Sequence, residues 1–477
     1  MKTLFAQSVP GRTGCLPPKP EHAAADMLPA GLLRKSAPRL PELSELDVVR
    51  HFTNLSRQNY GVDGNFYPLG SCTMKYNAKF AEYVASLPGF CNLHPLMAQL
   101  RGTSQMTQGA LECIWEMERL LCEISGMDAY TLQPMAGAHG EFTGATLIAA
   151  YHRDKGNNKT KIICPDSAHG TNPASATLAG FEVVNIASRD GIIDPEALEA
   201  ALSEDVAALM MTCPNTLGWF ETHLPRIVEK LRRVDALLYY DGANMNAILG
   251  KMRVGDVGFD VVHWNLHKTL GTPHGGGGPG AGPVGVCSRL EPFLPVGRVA
   301  RQADGNFYLD YDHPKSIGYI APFYGNFGIM LRAYAYVLRL GGEGLTRVAE
   351  HAVLNANYLK KLVEHFLVVP FGRICAHEFV SSAPEGLRAL DIAKGLLDRG
   401  YHAPTIYFPL IVKECLMAEP TETESKQTLD AYAAALEEIV KQGLSDPRSL
   451  HDAPHTTPVR RLDETAAARN MVLTEDM

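Results

Sequence analysis

Two stretches of sequence decide the fold: Ala236-Leu-Leu-Tyr-Tyr-Asp-Gly-Ala-Asn244 and Asp260-Val-Val-His-Trp-Asn-Leu-His-Lys-Thr269. Each contains a continuous apolar run, which is typical of a β-strand buried on both faces of a parallel sheet. Each run is followed by a charged side chain, Asp241 in the first stretch and Lys268 in the second. Because open α/β sheets bind ligands beyond the carboxyl ends of their strands, we expect Asp241 and Lys268 to face one crevice.

The residues before these stretches repeat a pattern of short apolar runs and helical segments. Helical spacing of apolar residues predicts a long helix over 104–126, and crossover helices are predicted at 195–202 and 224–234. Further strands are predicted at 161–164, 182–186 and 207–212. The fold class is therefore α/β, with a mostly parallel sheet flanked by helices.

The chain divides into four predicted parts. Residues 1–70 form an extended N-terminal arm, because seven prolines fall within the first 41 positions. Residues 71–325 form a large α/β domain, and residues 326–447 form a smaller C-terminal α+β domain with a strand near 405–410. The last segment, 448–477, is a polar tail.

Composition excludes several classes of protein. With 46% hydrophobic residues, 20% charged residues and a net charge of −8, the chain is neither a disordered protein nor a basic nucleic-acid binder. Its ten cysteines form no CxxC pair, which is typical of a reducing compartment. The N-terminus lacks a secretory pattern and no apolar run is long enough to span a bilayer, so we expect a cytoplasmic protein without membrane contact.

An acid and a lysine in one crevice are the pair that a pyridoxal phosphate enzyme needs. The lysine amine forms the resting Schiff base, and the carboxylate keeps the pyridine nitrogen protonated so that the ring withdraws electrons. The spacing alone is equally compatible with a buried salt bridge or with two unrelated groups. The neighbouring segments decide between these interpretations.

A glycine-rich loop at 271–282 follows Lys268 directly. A phosphate-binding P-loop is excluded because its glycines must precede the Lys-Thr pair. Three of these glycines match G-x-G-x-x-G but do not join a strand to a helix, which disfavours a dinucleotide site. His263 and His267 are spaced like zinc ligands but lack the acid of an HExxH motif, and no metal is predicted. The bare backbone of this loop instead suits close approach to a cofactor or substrate.

Three further segments supply candidate cofactor contacts. Gly137 and Ala138 precede a helix predicted from Ala145, and free amides at a helix start suit the cofactor phosphate. His169 follows a predicted strand, where a flat imidazole can stack on the pyridine ring; a loop histidine held by hydrogen bonds is the alternative. Thr216 follows another strand and is a candidate for the cofactor's rim.

Together these segments resemble the pyridoxal phosphate-dependent glycine decarboxylase, or P protein, of the glycine cleavage system. The resemblance covers about residues 40–445. It rests on Tyr60-Gly-Val-Asp-Gly-Asn-Phe-Tyr-Pro-Leu-Gly-Ser-Cys-Thr-Met-Lys-Tyr-Asn77, on the segments around His139 and His169, on Asp241-Gly-Ala-Asn244, on the Lys268 loop, and on the stretches 401–405 and 419–424. Fused members are about twice as long, and this chain is similar to the second subunit of the form that many bacteria divide in two. Some members have Gln at the position of His139, so no catalytic role is assigned to it.

The resemblance implies fold type I, pyridoxal 5'-phosphate as cofactor, and decarboxylation of glycine with transfer of the aminomethyl group to the lipoyl arm of the H protein. It implies that Lys268 is the Schiff-base lysine and a proton carrier, that Asp241 supports the electron sink, and that His169 stacks on the ring. His267 is a candidate proton shuttle, with a purely structural role as the alternative. The phosphate and rim are assigned to Gly137, Ala138, Thr216 and Thr269, and the implied partner is a homologous first subunit in a heterotetramer.

Two other classes of function remain open from the sequence. Another fold type I enzyme, such as an amino-acid decarboxylase or a desulfurase, shares Asp241 and Lys268 but does not need the 71–77 motif. A non-catalytic scaffold subunit is expected to lack the Schiff-base lysine, so the presence of Lys268 disfavours it.

Overall fold

A seven-stranded sheet forms the centre of the computed structural model, which describes residues 2–16, 18–19, 21–22, 27–100, 104–275, 278–370 and 372–473. Its strands are β1 (Ala129–Thr131), β2 (Lys161–Pro165), β3 (Glu182–Ile186), β4 (Val206–Thr212), β5 (Leu237–Gly242), β6 (Val261–Trp264) and β7 (Val284–Val286). Their order is β1-β7-β6-β5-β4-β2-β3, and only β7 runs antiparallel to its neighbours. The predicted mostly parallel sheet is confirmed. The sequence did not reveal β1 and β7, because three residues are too few to show a period.

Alternate residues of the strands pack into two different cores. Ile162 of β2 packs on the face covered by helices Gly137–Asp154 and Thr171–Leu178. Ile163, the next residue, packs on the opposite face with helices Gln108–Ser125, Pro195–Ala201 and Leu224–Arg233. Burial on both faces explains why these strands appear in the sequence as continuous apolar runs. The predicted crossover helices and the helix ending before Gly126 are confirmed.

The helix near the start of the sheet begins earlier than predicted. It spans Gly137–Asp154, whereas the sequence indicated a start at Ala145. Small residues with weak helix propensity hid its first two turns, and packing against the sheet overrides that propensity. Gly137 and Ala138 therefore lie in the first helical turn and do not precede it.

A second hydrophobic core lies towards the C-terminus. Its antiparallel sheet contains Phe379–Ser382, Cys415–Ala418 and Thr405–Ile406. Helices Ala389–Asp398 and Lys426–Ser445 pack on this sheet. The predicted strand to residue 410 was wrong, because Tyr407 adopts a left-handed φ of 60° and ends it.

One long helix joins the two cores. It spans Phe327–Val363. Gly341 is non-helical, with φ 63° and ψ −177°, but the helix resumes after this kink. Among the described residues, no helix combines the length and the apolarity that crossing a membrane requires.

The N-terminal segment packs on the C-terminal core. Its longest helix, Glu45–Ser56, begins at a capping box formed by Ser44 and Asp47. Phe66 is buried in the C-terminal core, and the residues that follow lead into the crevice described below. The division of the chain at residues 70, 325 and 447 stays a prediction.

The other elements are short. The helices are Leu4–Gln7, Lys79–Ala85, Pro88–Cys91, Leu266–Thr269, Pro447–His451 and Glu464–Arg469. The 3-10 turns are Ala30–Leu32, Pro95–Gln99, Ser104–Thr107, Gly255–Val257 and Ser288–Phe293. Two hairpins pair Ser188–Arg189 with Ile192–Ile193 and Arg298–Arg301 with Phe307–Asp310.

Candidate active site

Lys268 lies just beyond the carboxyl end of β6, in the short helix Leu266–Thr269. The side chain is half-buried, and its ammonium has no hydrogen-bond or ion-pair partner in the part of the chain that the structure describes. Its charge acts on titratable groups from both sides of the crevice, among them Glu141, His169 and Glu378. The predicted lysine therefore stands at the centre of a ring of ionisable side chains.

Asp241 ends β5 next to that lysine and is 1% exposed. Its Oδ2 accepts hydrogen bonds from Asn172 Nδ2 at 2.9 Å and Thr212 Oγ1 at 3.0 Å, and its Oδ1 accepts one from the Ala243 amide at 3.0 Å. Burial alone would raise the pKa of Asp241, but the imidazoles of His263 and His169 and these hydrogen bonds outweigh it and lower the pKa. Asp241 is therefore an ionised carboxylate inside the protein, stabilised by protein donors in place of water.

His263 supports Asp241 from the neighbouring strand. Its Nε2 lies 3.3 Å from Asp241 Oδ1, and its Nδ1 is 2.6 Å from the Tyr239 hydroxyl. Burial lowers the pKa of His263 to about 4, so the imidazole is neutral at pH 7. This buried position in a strand, beside a single carboxylate, agrees with the rejection of His263 as a zinc ligand.

His169 is held by a chain of hydrogen bonds that the sequence did not reveal. The Thr171 hydroxyl donates to Glu141 Oε1 at 2.7 Å and lies 2.9 Å from His169 Nδ1. With the Thr171 proton directed at Glu141, the hydroxyl is placed to accept from His169 Nδ1–H, although the Thr171 amide also lies 3.5 Å from that nitrogen. Ser175 Oγ donates to Glu141 Oε2 at 3.0 Å and holds the other carboxylate oxygen. The arrangement selects one tautomer and one orientation of His169.

Glu141 is the buried acid at the end of that chain. It is 3% exposed and lies one helical turn after Gly137. Burial, followed by repulsion from Asp241, raises the pKa of Glu141 to about 7. A charged residue on the inner face of an otherwise apolar helix was a signal in the sequence that pattern analysis did not use.

The first turn of helix Gly137–Asp154 has free amides. The N–H groups of Gly137, Ala138 and His139 have no partner within the described residues, and Ala136 supplies no side-chain cap. A Cβ on Gly137 would lie 2.7 Å from Asn265 Oδ1, so only glycine fits beside this amide. Free amides at a helix N-terminus favour an anion, which agrees with the predicted phosphate site.

The glycine-rich loop closes over this helix start. A Cβ on Gly282 would lie 2.0 Å from Ala136 O, so this contact requires glycine. His267 lies beneath the loop, where its Nδ1 accepts from the Ala281 amide at 3.4 Å and its ring is 5.2 Å from that of His274. Burial, followed by the neighbouring charges, lowers the pKa of His267 to about 3. His267 is neutral at pH 7, and its Nδ1 lone pair faces the Ala281 amide. Its role as a proton shuttle stays a prediction. Two other residues of this loop, Gly276 and Gly277, lie outside the described residues.

The two threonines predicted to contact the cofactor's rim are buried and already form hydrogen bonds. Thr216 donates to the Ser167 carbonyl at 3.3 Å, which holds the loop after β2. Thr269 accepts from the Met245 amide at 2.9 Å, and its carbonyl accepts from Lys75 Nζ at 2.9 Å. Their assignment to the cofactor's rim stays a prediction.

The residues present fit pyridoxal phosphate. Four features of the cofactor have a match: an aldehyde for Lys268, a basic ring nitrogen for Asp241, a phosphate for the free amides, and a flat ring for His169. The crevice also contains buried polar atoms without partners among the described residues, namely Asn172 Oδ1, Asn265 Oδ1 and His274 Nε2. Such atoms indicate a polar ligand, because an unpaired buried polar group is costly.

This strand order, with an acid ending β5 and a lysine following β6, defines the class of fold type I pyridoxal phosphate enzymes. The aminotransferase class-V family model matches residues 139–295, and the model named glycine dehydrogenase, C-terminal domain, matches residues 348–453. The chain belongs to the family of glycine dehydrogenase (decarboxylating) subunit 2.

Several relatives are similar over nearly the whole chain. The probable glycine dehydrogenase (decarboxylating) subunit 2 of Caldanaerobacter subterraneus subsp. tengcongensis is 56% identical, over 95% of this chain and 93% of its own. Its counterpart in Desulforamulus reducens is 55% identical over 98% of both chains. An inhibitor-bound crystal structure of a glycine decarboxylase P-protein has a TM-score of 0.71 at 21% identity, covering 87% of this chain and 94% of that one. The aspartate aminotransferase of Thermus thermophilus shares the fold, with a TM-score of 0.57 at 14% identity over 79% of this chain and 99% of that one.

Proposed function

We propose that this protein decarboxylates glycine and transfers the aminomethyl group to the lipoyl arm of an H protein. The observation that carries the proposal is one crevice containing the unpartnered Lys268 ammonium and the ionised Asp241, in a chain of the subunit 2 family. When bound, pyridoxal phosphate supplies the electron sink that stabilises the carbanion left by CO2.

The chain's own residues have distinct tasks in this proposal. Lys268 holds the cofactor covalently and, once displaced by glycine, carries a proton at Nζ. Asp241 keeps a proton on the nitrogen that faces it, and the free amides of Gly137 and Ala138 hold the phosphate. His169, oriented by Thr171, presents its face to the ring. His267, which precedes Lys268 in the sequence, is the candidate proton shuttle, with a structural role as the alternative.

A first, homologous subunit is the proposed partner. The two relatives named above are described as subunit 2, which implies a subunit 1. We propose that the two chains pair and that the pairs double into a heterotetramer. Expressed alone, the chain should bind the cofactor weakly or assemble poorly. The cytoplasmic location expected from the N-terminal sequence stays a prediction.

The decisive experiment is glycine-dependent exchange of labelled CO2 with the glycine carboxyl group. The assay contains both subunits, pyridoxal phosphate and lipoylated H protein, with Lys268→Ala as the inactive control. Exchange that needs glycine and the lipoyl group supports the proposal. Decarboxylation or desulfuration of another amino acid without H protein would replace it with a different fold type I reaction.

A further inference from the structure

A second group of ionisable side chains faces Lys268 from the C-terminal core. His377, Glu378 and Glu419 are 1%, 3% and 0% exposed, and one ligand atom of each lies within 4.8 Å of the others. Both ring nitrogens of His377 lack a hydrogen-bond partner among the described residues, and its Nε2 is 3.7 Å from Glu378 Oε1. An unpartnered imidazole buried beside two carboxyl groups indicates a site built to bind a cation or a proton.

The hydrogen bonds divide the two carboxyl groups into different states. Glu419 accepts from four donors: Thr73 N and Oγ1, both at 3.0 Å, Asn244 Nδ2 at 2.8 Å and Asn246 Nδ2 at 3.4 Å. Among the described residues, Glu378 accepts from a single donor, the Ser71 amide, which reaches Oε2 at 2.6 Å. Burial raises the pKa of both carboxyl groups, and a charge on Glu419 further disfavours ionisation of Glu378. The charge therefore belongs on Glu419 and the proton on Glu378.

The number of hydrogen bonds to each carboxyl group disfavours a metal ion at this site. The four donors use all the lone-pair positions of Glu419, so it could ligate a metal only by losing an amide or hydroxyl partner. Binding a proton, by contrast, requires only one free carboxyl oxygen. Glu378 Oε1 is such an oxygen, because it accepts no hydrogen bond from the described residues. Burial, followed by repulsion from Glu419, raises the pKa of Glu378 to about 8, which agrees with this assignment.

The histidines, the thiol and the second lysine around Lys268 are poor acids at pH 7. The charge of Lys268 acts on five histidines whose pKa values are lowered, primarily by burial: His169, His263, His267, His274 and His377. Burial raises the pKa of the Cys72 thiol above its usual value near 9.0. Lys75 forms an ion pair with Glu422 at 2.6 Å; burial alone would lower the pKa of Lys75, but that carboxylate outweighs it and leaves the pKa raised. Glu141 also has a raised pKa, but both of its oxygens accept hydrogen bonds, from Thr171 and Ser175. Glu378 keeps Oε1 free of such bonds among the described residues and is acidic enough to act.

We propose that Glu378 is a catalytic acid that delivers a proton to the leaving lipoyl sulfur. Glu419 is the charged partner that keeps Glu378 protonated. This inference rests on the proposed function. The electron pair left by CO2 forms the new carbon–sulfur bond, and the sulfur–sulfur bond breaks with its pair on the second sulfur. That sulfur takes the proton from Glu378 Oε1 and becomes a thiol. The carboxyl pair regains one proton from solvent, which balances each turnover.

Infrared difference spectroscopy on the purified chain tests the proton directly, without catalysis. We expect a protonated-carboxyl band that is present at pH 7, disappears in Glu378→Gln and titrates away as the pH rises through about 8. A band unchanged in Glu378→Gln would overturn the assignment. Stoichiometric zinc, manganese or iron in the holoenzyme, lost in His377→Ala, would show a metal site instead.

Kinetics of the two-subunit holoenzyme test the catalytic role. Glu378→Gln keeps the shape and neutrality of the protonated acid, so glycine-induced changes in cofactor absorbance should persist while aminomethyl transfer falls about 100-fold. Glu118→Gln is the matched control, because Glu118 is also buried, at 6% exposure, but contacts the Tyr130 amide away from the crevice. A wild-type transfer rate in Glu378→Gln overturns the proposal. If the wild-type complex itself fails to transfer, the proposed function fails, and the infrared result still decides the state of the carboxyl pair.

Discussion

The two walls of the crevice stabilise their carboxyl groups in different ways. On the sheet wall, Asp241 is surrounded by donors from consecutive strand ends and the adjacent helix. On the wall formed with the C-terminal core, Ser71 and Thr73 adopt left-handed φ values of 64° and 52°, and their amides point at Glu378 and Glu419. The sheet wall stabilises the negative charge of Asp241. The other wall holds a proton on Glu378, next to residues whose backbone is strained. The difference indicates a division of labour, with charge stabilisation on the first wall and proton delivery on the second.

The largest effect should come from removing the lysine between the walls. We expect Lys268→Ala to reduce CO2 exchange by on the order of 10⁴-fold, because both the covalent hold and a proton carrier are lost. Borohydride reduction followed by peptide mapping should label Lys268 in the wild type and no lysine in the variant. Lys251→Ala is the control, since Lys251 pairs with Glu350 on the surface. Reduced cofactor found on Lys251 would refute the assignment.

A neutral isostere tests the charge of the sheet wall. Asp241→Asn should keep the fold and part of the cofactor but slow decarboxylation about 10²- to 10³-fold, because an amide cannot hold the facing nitrogen protonated. Single-turnover measurement of CO2 release, alongside a cofactor titration, separates chemistry from binding. Decarboxylation near the wild-type rate would show that the charge of Asp241 is not used.

The orientation of His169 should depend on one hydroxyl. Thr171→Val removes both bonds that join His169 to Glu141, and we expect a loss of about tenfold to a hundredfold in turnover. Thr171→Ser keeps the hydroxyl and should restore most of the rate. In ¹⁵N NMR, the wild type should show the proton on His169 Nδ1, and Thr171→Val should show a mixture of tautomers. A mixture already present in the wild type would contradict the hydrogen-bond chain.

A single methyl group should disturb the helix start on the sheet wall. Gly282→Ala brings a Cβ within 2.0 Å of Ala136 O, so we expect destabilisation of about 1–3 kcal/mol and weaker cofactor binding. Gly342→Ala is the control, because nothing lies within 4 Å of its Cβ and alanine favours a helix. Thermal unfolding with and without pyridoxal phosphate measures both effects. Equal behaviour of the two variants would mean that the loop adapts to the methyl group.

The smallest effect concerns stability on the opposite wall. The pKa of Glu378 is raised from an ordinary value of 4.5 to about 8 in the folded chain, so its contribution is complete below 4.5 and is lost as the pH rises to about 8. Glu378→Gln has no such proton to lose. Its melting temperature relative to wild type should therefore increase between pH 5 and 8 and then level off. A pH-independent difference would indicate that Glu378 is ionised throughout.

The amino-acid sequence by itself determined the elements with strong local signals. The long apolar runs predicted β2 to β6, and the charged residues at their ends predicted the Asp241 and Lys268 crevice. These signals are local, because burial on both faces demands apolar residues along the whole strand. The order and content of the motifs then indicated the family, which the relatives confirm.

The tertiary structure alone decided the rest of the site. Glu141 reaches His169 only because two helices pack on the same face of the sheet. Ser71 meets Glu378 across 307 positions of sequence, and Thr73 meets Glu419 across 346. No local preference encodes such contacts, since they depend on how the C-terminal core packs against the sheet. Whether a buried carboxyl group holds a charge or a proton depends in turn on the donors that this packing brings to it.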